Sequence, residues 1–157
     1  MDLIDNSKRT EKEISHLRKK FLEAKNSSDI SQLMEIKDEV NGYMYNVGYY
    51  KSEFMYLRDE CEREMKDDEN RVFLTLRGIK ESEKEGYIKE KTKFTEAEAK
   101  SVSRKMSSIH LIDYNSFNLW YGKMRDFLEV LKETSHSLSQ RISVLKNEKE
   151  LNQFVNE

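Results

Sequence analysis

The side chains that most often carry catalysis or bind metals are few in this chain and lie far apart. The three histidines are His16, His110 and His136, and the single cysteine is Cys61. None of the histidines has a ligand-type residue at a recognised metal-site spacing, and Asp113, three residues after His110, forms a pair that is common by chance. The sequence also lacks a glycine-rich phosphate loop, a Gly-x-Ser-x-Gly elbow and an aspartate-rich calcium loop. We therefore expect no enzyme activity, no bound metal and no cofactor.

Two weaker candidates for chemistry are better explained by structure. Cys61 falls on an apolar helical stripe, so we expect a packing residue rather than a nucleophile. The carboxylates of residues 59–69 could hold a metal in principle, but such a run of charge is typical of a solvated helix face. Residues 53–70 carry eight acidic and three basic side chains. This acidic block is expected to repel DNA and to suit a basic partner.

A basic stretch follows the acidic block, and its pattern favours phosphate binding. Residues 71–105 carry ten basic and six acidic side chains. Arg77, Lys80 and Lys84 are spaced i, i+3 and i+7, which places them on one helix face. Cations at repeated spacing bind nucleic acid by releasing its condensed counterions. The candidate DNA-binding residues are Arg77, Lys80, Lys84, Lys91, Lys93, Lys100 and Arg104.

Aromatic and acidic neighbours leave two interpretations of the basic stretch open. Tyr87 and Phe94 could stack on bases, which requires no particular base sequence. Alternatively, the glutamates of the same stretch could pair with the cations, as the favourable i, i+4 order of Glu96 and Lys100 suggests. The stretch is either a phosphate-binding surface or a solvated face of ion pairs.

Long helices must position these residues, because the chain has few breakers. Of 157 residues, 37% are charged, none is proline and five are glycine, so we predict an all-α fold of long helices, arranged as a hairpin or bundle. The first helix is predicted from the Thr10 capping box to about Lys25, and residues 26–29 read as a loop with a new N-cap. A second capping box at Thr95, with Phe94 and Ala99 as a hydrophobic staple, opens a third helix that runs to about residue 108.

A fourth helix is predicted from about Asp113 into the 150s. It carries an aromatic stripe of Phe117, Trp120 and Phe127, which we interpret as core because aromatic side chains dominate core burial.

The second helix contains a heptad seam that needs a partner helix. Its residues follow alternating steps of three and four over four heptads, as in a coiled coil. They are Leu33, Ile36, Val40, Tyr43, Val47, Tyr50, Phe54, Leu57 and Cys61. One helix over residues 30–85 would be about 80 Å long. It must therefore project, break at Gly42, Gly48 or Gly78, or pack against other copies. A small chain with such a seam usually oligomerises or folds back on itself. We expect a homo-oligomer in which Leu33, Val40, Val47 and Phe54 form the interface.

The remaining expectations concern organisation and compartment. We expect an N-terminal segment at 1–28 with a short helix, and a helical oligomerisation and DNA-binding domain at 29–157. No run of 18 apolar residues is present, so no membrane span is expected. The N-terminus has no signal-peptide pattern and the chain has one cysteine, so a cytoplasmic location is expected.

Several segments resemble the UvsY-type recombination mediators of tailed bacteriophages. The resemblance covers roughly residues 53–150. It is carried by residues 96–102 (EAEAKSV), by Ile112-Asp113, by residues 120–127 (WYGKMRDF), by Glu64-Met65 and by Leu76-Arg77. The family is all-helical and non-enzymatic and assembles into rings. It acts in DNA recombination and repair.

The resemblance implies three kinds of partner besides other copies of the chain. They are single-stranded DNA, a RecA-like recombinase, and the single-strand-binding protein that the recombinase displaces. For a phage protein, the compartment would be the host cytoplasm.

The resemblance to the mediators departs from the family pattern at one position. The family has a DNA-contacting Lys and Arg two residues apart late in its long helix, and Arg77 matches the first. The second falls on Ile79, with Lys80 one residue later. The alternative function is a structural coiled-coil assembly or scaffold protein without a nucleic-acid role.

Overall fold

The computed structural model describes residues 3–77 and 94–155, and this part of the chain is all helical, without a strand. The predicted fold class is confirmed. The elements in chain order are α1 (Leu3–Ala24), α2 (Ile30–Leu76), α3 (Glu96–Ser107), a 3₁₀ turn (Ser108–His110) and α4 (Leu111–Val155). None of these helices combines the length and the apolar character that crossing a membrane requires.

Helix α1 begins earlier than predicted, and its first turn does not contain the expected capping box. It starts at Leu3, so Thr10 lies inside the helix and is buried. Ser7 and Thr10 continue the buried stripe of Ile14 and Leu17 towards the N-terminus. Small polar side chains occupy these core positions. The apolar pattern therefore placed the start of α1 too far along the sequence.

The loop after α1 and the start of α2 are as predicted. The Ser27 amide donates to the carbonyl of Ala24, which closes the end of α1. Asp29 caps α2, because its Oδ1 accepts hydrogen bonds from the amides of Ser31 at 2.9 Å and Gln32 at 3.3 Å. Such a cap satisfies the donors that a helix start leaves unpaired.

Helix α2 is continuous through Gly42 and Gly48, where a break had been considered. It ends at Leu76, and the predicted continuation over residues 78–85, with Gly78, lies outside the described part of the chain. The helix needs no break because the heptad seam is covered by the chain itself.

The burial of the seam corrects the expected oligomer interface. Leu33, Val40, Val47 and Phe54 are all completely buried within the single chain. Side chains without exposed surface cannot contact a second copy. These four residues therefore do not form the interface that the seam suggested. The partner helices that the heptad pattern requires belong to the same chain.

The described residues form two compact units. The bundle unit contains the residues up to Glu53 and those from Trp120 onwards, and the hairpin unit contains Phe54–Leu119. The expected boundary at residues 28–29 therefore does not separate two domains, because α1 belongs to the same unit as the first part of α2. The resemblance also did not indicate this division.

The bundle unit packs α1, the first part of α2 and the last part of α4 around a common core. Its buried apolar residues come from all three helices, for example Ile14, Ile36 and Leu138. Polar contacts join each pair of helices: Lys20 with Glu39, Glu11 with Lys123, and Asn41 with Ser135. Tyr43 also forms a hydrogen bond with Glu13, and Ile30 lines a recess with Leu145. As the residue numbers rise along α2, those of its neighbours in α1 and α4 fall, so α2 runs antiparallel to both.

The hairpin unit folds the second part of α2 against α3, the 3₁₀ turn and the start of α4. Val72, Leu76, Phe94 and Ala99 form a buried cluster at one end. Near the other end, the rings of Phe54 and Phe117 lie 6.4 Å apart. The predicted staple of Phe94 and Ala99 is thus part of this core.

The aromatic stripe of α4 is core, as interpreted from the sequence. Trp120 is buried, and Phe117 and Phe127 are half-buried. Helix α4 starts at Leu111, two residues before Asp113, and reaches Val155.

Candidate nucleic-acid interface

The two described ends of the basic stretch are joined by one hydrogen bond. Arg77, the residue after α2, donates from Nη1 to the backbone carbonyl of Phe94 at 2.9 Å. Phe94 is anchored in the buried cluster with Val72 and Leu76. Positions 77 and 94 therefore lie next to each other at one end of the α2–α3 pair.

A capping box fixes the start of α3 next to this contact. The amide of Glu98 donates to Thr95 Oγ1 at 3.3 Å, and the amide of Thr95 donates to Glu98 Oε2 at 2.9 Å. The predicted capping box is confirmed. It uses the Glu98 carboxylate, which is therefore held at the helix start and does not sit on the cationic face.

Lys100 and Arg104 lie on the exposed side of α3, because Ala99 and Ser103 occupy its buried side. Arg104 Nε contacts Glu69 Oε1 of α2 at 3.3 Å. Lys100 lines a shallow recess with Glu69 and Glu96. The two α3 cations thus stand beside carboxylates, and the charge of Arg104 is partly balanced before any ligand binds.

The seven candidate DNA-binding residues divide into two groups. The structure places Arg77, Lys100 and Arg104 in the hairpin unit, each exposed to solvent. Lys80, Lys84, Lys91 and Lys93 lie outside the described residues, as does Tyr87. Their grouping with the three described cations stays a prediction.

One expected stacking residue is not available. Phe94 is buried, with 9% of its surface exposed, and belongs to the core cluster of the hairpin unit. A ring held there cannot lie flat against a base, so the stacking role expected for Phe94 is wrong. The other role predicted for Phe94, the staple with Ala99, is the one that it has in the structure.

Five carboxylates of the acidic block pair with cations of the hairpin unit, and three of these cations lie one helical turn away. The pairs are Arg58 with Asp59, Glu60 with Arg63, Glu62 with Lys66, Asp68 with Arg71, and Glu69 with Arg104. Exposed pairs of this kind contribute little stability, but they neutralise the block locally.

His110 has a role that the sequence did not reveal. Its Nε2 lies 2.9 Å from Asp68 Oδ2, and its Nδ1 lies 3.6 Å from Glu64 Oε2. The hydrogen bond with His110, helped by Arg71, lowers the pKa of Asp68 below its usual value. The neighbour considered from the sequence, Asp113, is not a partner in this contact. Glu64 and Asp68 are one turn apart on α2, but nothing in the sequence brings His110 to them.

Cys61 has the properties of a packing residue. It is half-buried, and its pKa is raised by burial and by the nearby carboxylates of Asp113, Glu64 and Glu60. A raised pKa lowers the fraction of reactive thiolate. Across the described residues, no group of three or more His, Cys, Asp and Glu side chains is placed to hold a metal ion.

Comparison with known proteins identifies no relative. No protein family model, no curated protein and no solved structure gives a significant match to the chain.

Proposed function

We propose that the protein is a recombination mediator that binds single-stranded DNA through the basic end of the hairpin unit. In this role it helps to load a RecA-like recombinase in place of single-strand-binding protein. The observation that carries the proposal is the Arg77–Phe94 contact. It brings together the two ends of a connection that contributes Lys80, Lys84, Lys91 and Lys93.

The position of α3 adds to this support. The capping box at Thr95 starts α3 directly after the basic connection, and its exposed face presents Lys100. Arg104 lies one turn further along and is shared with Glu69. Phosphates would therefore contact Arg77 and Lys100 at the end of the hairpin unit where Arg77 meets Phe94. Arg104 should contribute less to the affinity for DNA than these two residues.

The test is binding to single-stranded DNA across a salt titration. If three to five cations contact phosphates, the log–log slope should be about −2 to −3.5, from about −0.7 per contact. Lys100→Ala should make the slope shallower by about 0.7. Lys19→Ala, which removes an equal charge from the exposed side of α1, is the matched control and should leave the slope unchanged. Arg77→Ala is a poorer probe, because it also removes the bond to Phe94.

The loading step needs its own assay. The protein should shorten the lag in recombinase ATPase activity on DNA coated with single-strand-binding protein, and Lys100→Ala should lengthen that lag. DNA binding without an effect on the lag would limit the proposal to a DNA-binding protein.

The alternative is a scaffold protein without a nucleic-acid role. It is favoured by the pairing of Arg104 with Glu69 and by the carboxylates beside Lys100, because ion pairs alone would explain these cations. An absence of binding at low salt would discard the mediator in favour of the scaffold.

A further inference from the structure

A short 3₁₀ turn interrupts the α-helical backbone of the hairpin unit. Helix α3, the turn (Ser108–His110) and α4 follow one another directly, and the backbone stays right-handed helical on both sides, at Ser107 and at Leu111. Inside the turn, the Leu111 amide donates to the carbonyl of Ser108, one residue closer than in an α-helix. A 3₁₀ stretch inside a longer helix often marks a hinge or a strained sequence.

Serine side chains weaken the helix at the same point. Ser107 Oγ donates to the carbonyl of Arg104 at 3.1 Å, and Ser108 Oγ donates to the carbonyl of Lys105 at 2.7 Å. Serine hydroxyls that bond back to the preceding turn compete with the backbone hydrogen bonds and often bend a helix. The turn also contains no buried residue. Burial therefore contributes little to holding it in place.

His110 attaches this turn to α2. It is half-buried, whereas the other four residues of the range 108–112 are exposed. Its Nε2 lies 2.9 Å from Asp68 Oδ2, and its Nδ1 lies 3.6 Å from Glu64 Oε2. Glu64 and Asp68 are one turn apart on α2, so each ring nitrogen has a carboxylate of its own. These three residues are called the His110 bridge below.

The geometry of the His110 bridge requires two N–H donors on one ring. A neutral imidazole has one N–H and one nitrogen with a lone pair, whereas the protonated ring donates from both nitrogens. The neutral ring can keep the shorter contact, with Asp68, but its lone pair then points at the Glu64 carboxylate and is repelled by it. Histidine side chains ordinarily lose their proton between pH 5 and 8. The contact between His110 and Glu64 therefore depends on pH.

The other charges of α2 act differently on the two halves of the bridge. Arg71 pairs with Asp68 through Oδ1 at 2.9 Å and leaves Oδ2 to His110. Asp68 therefore has a cationic partner whether or not His110 is protonated. Glu64 forms no second ion pair within the described residues. Loss of the proton from His110 thus affects Glu64 more than Asp68.

The nearby charges of α3 and α4 are not partners of His110. On α3, Arg104 is held by Glu69, and Lys105 is exposed to solvent. On α4, the Asp113 carboxylate helps to raise the pKa of the Cys61 thiol, for which burial is the main cause. A thiol with a raised pKa stays protonated over the range in which histidine titrates. The bridge is therefore the group near the turn whose contacts change between pH 5 and 8.

We propose that the His110 bridge is a pH-dependent contact that controls how often the 3₁₀ turn opens away from α2. At the acid end of the histidine range, the protonated ring holds both Glu64 and Asp68 and keeps the turn closed. As the pH rises through this range, the ring keeps Asp68 alone and the turn opens more often. The sign follows from linkage, because a histidine that gains partners on folding adds stability that is lost as the pH rises.

The inference goes beyond the proposed function, because it applies to a mediator and to a scaffold alike. It is tested without DNA, by hydrogen exchange of the Leu111 amide, which forms the hydrogen bond inside the turn. The protection of this amide is its exchange rate relative to an unstructured peptide at the same pH. In the wild type, protection should fall about two- to fivefold between about pH 5.5 and pH 8, the effect of losing one partly exposed ion pair.

Three variants separate the bridge from other sources of pH dependence. Glu64→Gln removes the carboxylate whose contact depends on pH, and His110→Gln removes the titrating ring. Both should show the weaker protection of Leu111 at both pH values. His136→Gln is the matched control, because His136 is exposed on α4 in the bundle unit and contacts Gln140. It should keep the pH dependence of the wild type.

Three results would overturn the proposal. The first is equal protection of Leu111 at the two pH values in the wild type. The second is an unchanged pH dependence in Glu64→Gln, which is substituted at an exposed position and should keep the helical circular dichroism of the wild type. The third is a loss of the pH dependence in His136→Gln, which would place the titrating group in the bundle unit.

Discussion

Replacing two helical glycines by alanine should stabilise the protein measurably. Gly48 lies inside α2 and Gly122 inside α4, both in the bundle unit. At each position, a Cβ would meet no atom within 4 Å. The new methyl group therefore causes no clash, and the change acts through the backbone. Alanine is favoured over glycine inside a helix by about 1 kcal/mol, largely because glycine loses more conformational freedom on folding.

The double variant Gly48→Ala, Gly122→Ala should therefore gain about 2 kcal/mol in the free energy of unfolding. With a urea dependence of about 1–3 kcal/mol per molar, the unfolding midpoint should rise by about 0.7–2 M. The measurement is urea unfolding followed by circular dichroism at 222 nm, at a protein concentration low enough to exclude association.

A proline at the same position supplies the control. Gly48→Pro removes the helical hydrogen bond of residue 48 and should cost about 3 kcal/mol or more. A break in α2 near Gly48 would reverse this pattern, because proline would then be tolerated. A loss of stability in the alanine variant would show that the backbone at Gly48 or Gly122 is not helical in solution, and would refute the continuous helices.

Three further predictions follow from the packing and the polar contacts. Phe54→Ala should lower the free energy of unfolding by about 3–5 kcal/mol. This loss relative to the wild type should be the same at every protein concentration, because Phe54 is buried within its own chain. Met55→Ala, at an exposed neighbour, should change the free energy of unfolding by less than about 0.5 kcal/mol. Asp68→Asn should be less stable than the wild type at neutral pH. The lowered pKa of Asp68 contributes stability that is fully present above the usual aspartate pKa of about 3.9. The difference in the free energy of unfolding between the two proteins should therefore begin to shrink below about pH 4 and disappear as the pH falls through the lowered pKa. A constant difference would exclude the bond with His110 as the cause. Thr95→Ala should lower the free energy of unfolding by about 1 kcal/mol, because it removes the N-cap of α3. The measurement is hydrogen exchange at the start of α3, which should become faster. Unchanged exchange there would contradict the capping box.

The parts of the fold that depend on residues close together in the sequence, such as helix caps and buried helix stripes, could be predicted. The caps at Asp29 and Thr95 could be located because a capping side chain bonds to amides two or three residues away. The heptad seam of α2 predicted a buried stripe, and the stripe is buried. The start of α1 could not be found in the same way, because Ser7 and Thr10 are polar residues at buried positions.

Contacts between distant residues explain what the sequence did not reveal. A heptad seam indicates that the helix needs a partner helix, but it does not indicate whether that partner comes from the same chain or from another copy. Arg104 meets Glu69 and His110 meets Asp68 only because α2 and α3 form an antiparallel pair, and neither meeting has a local signature. For the same reason, the sequence could not decide between the two roles predicted for Phe94, a staple with Ala99 and a stacking residue, because the choice depends on the core around Val72 and Leu76.

The hydrogen bond from Arg77 to the Phe94 carbonyl also affects how this protein can change in evolution. Because Arg77 donates to a backbone carbonyl, the bond survives any change of the side chain at position 94 that keeps the fold, but it is lost when Arg77 itself changes. Position 77 is therefore held by folding as well as by any ligand. If the protein lost its ligand in the course of evolution, selection for stability alone would still favour an arginine there.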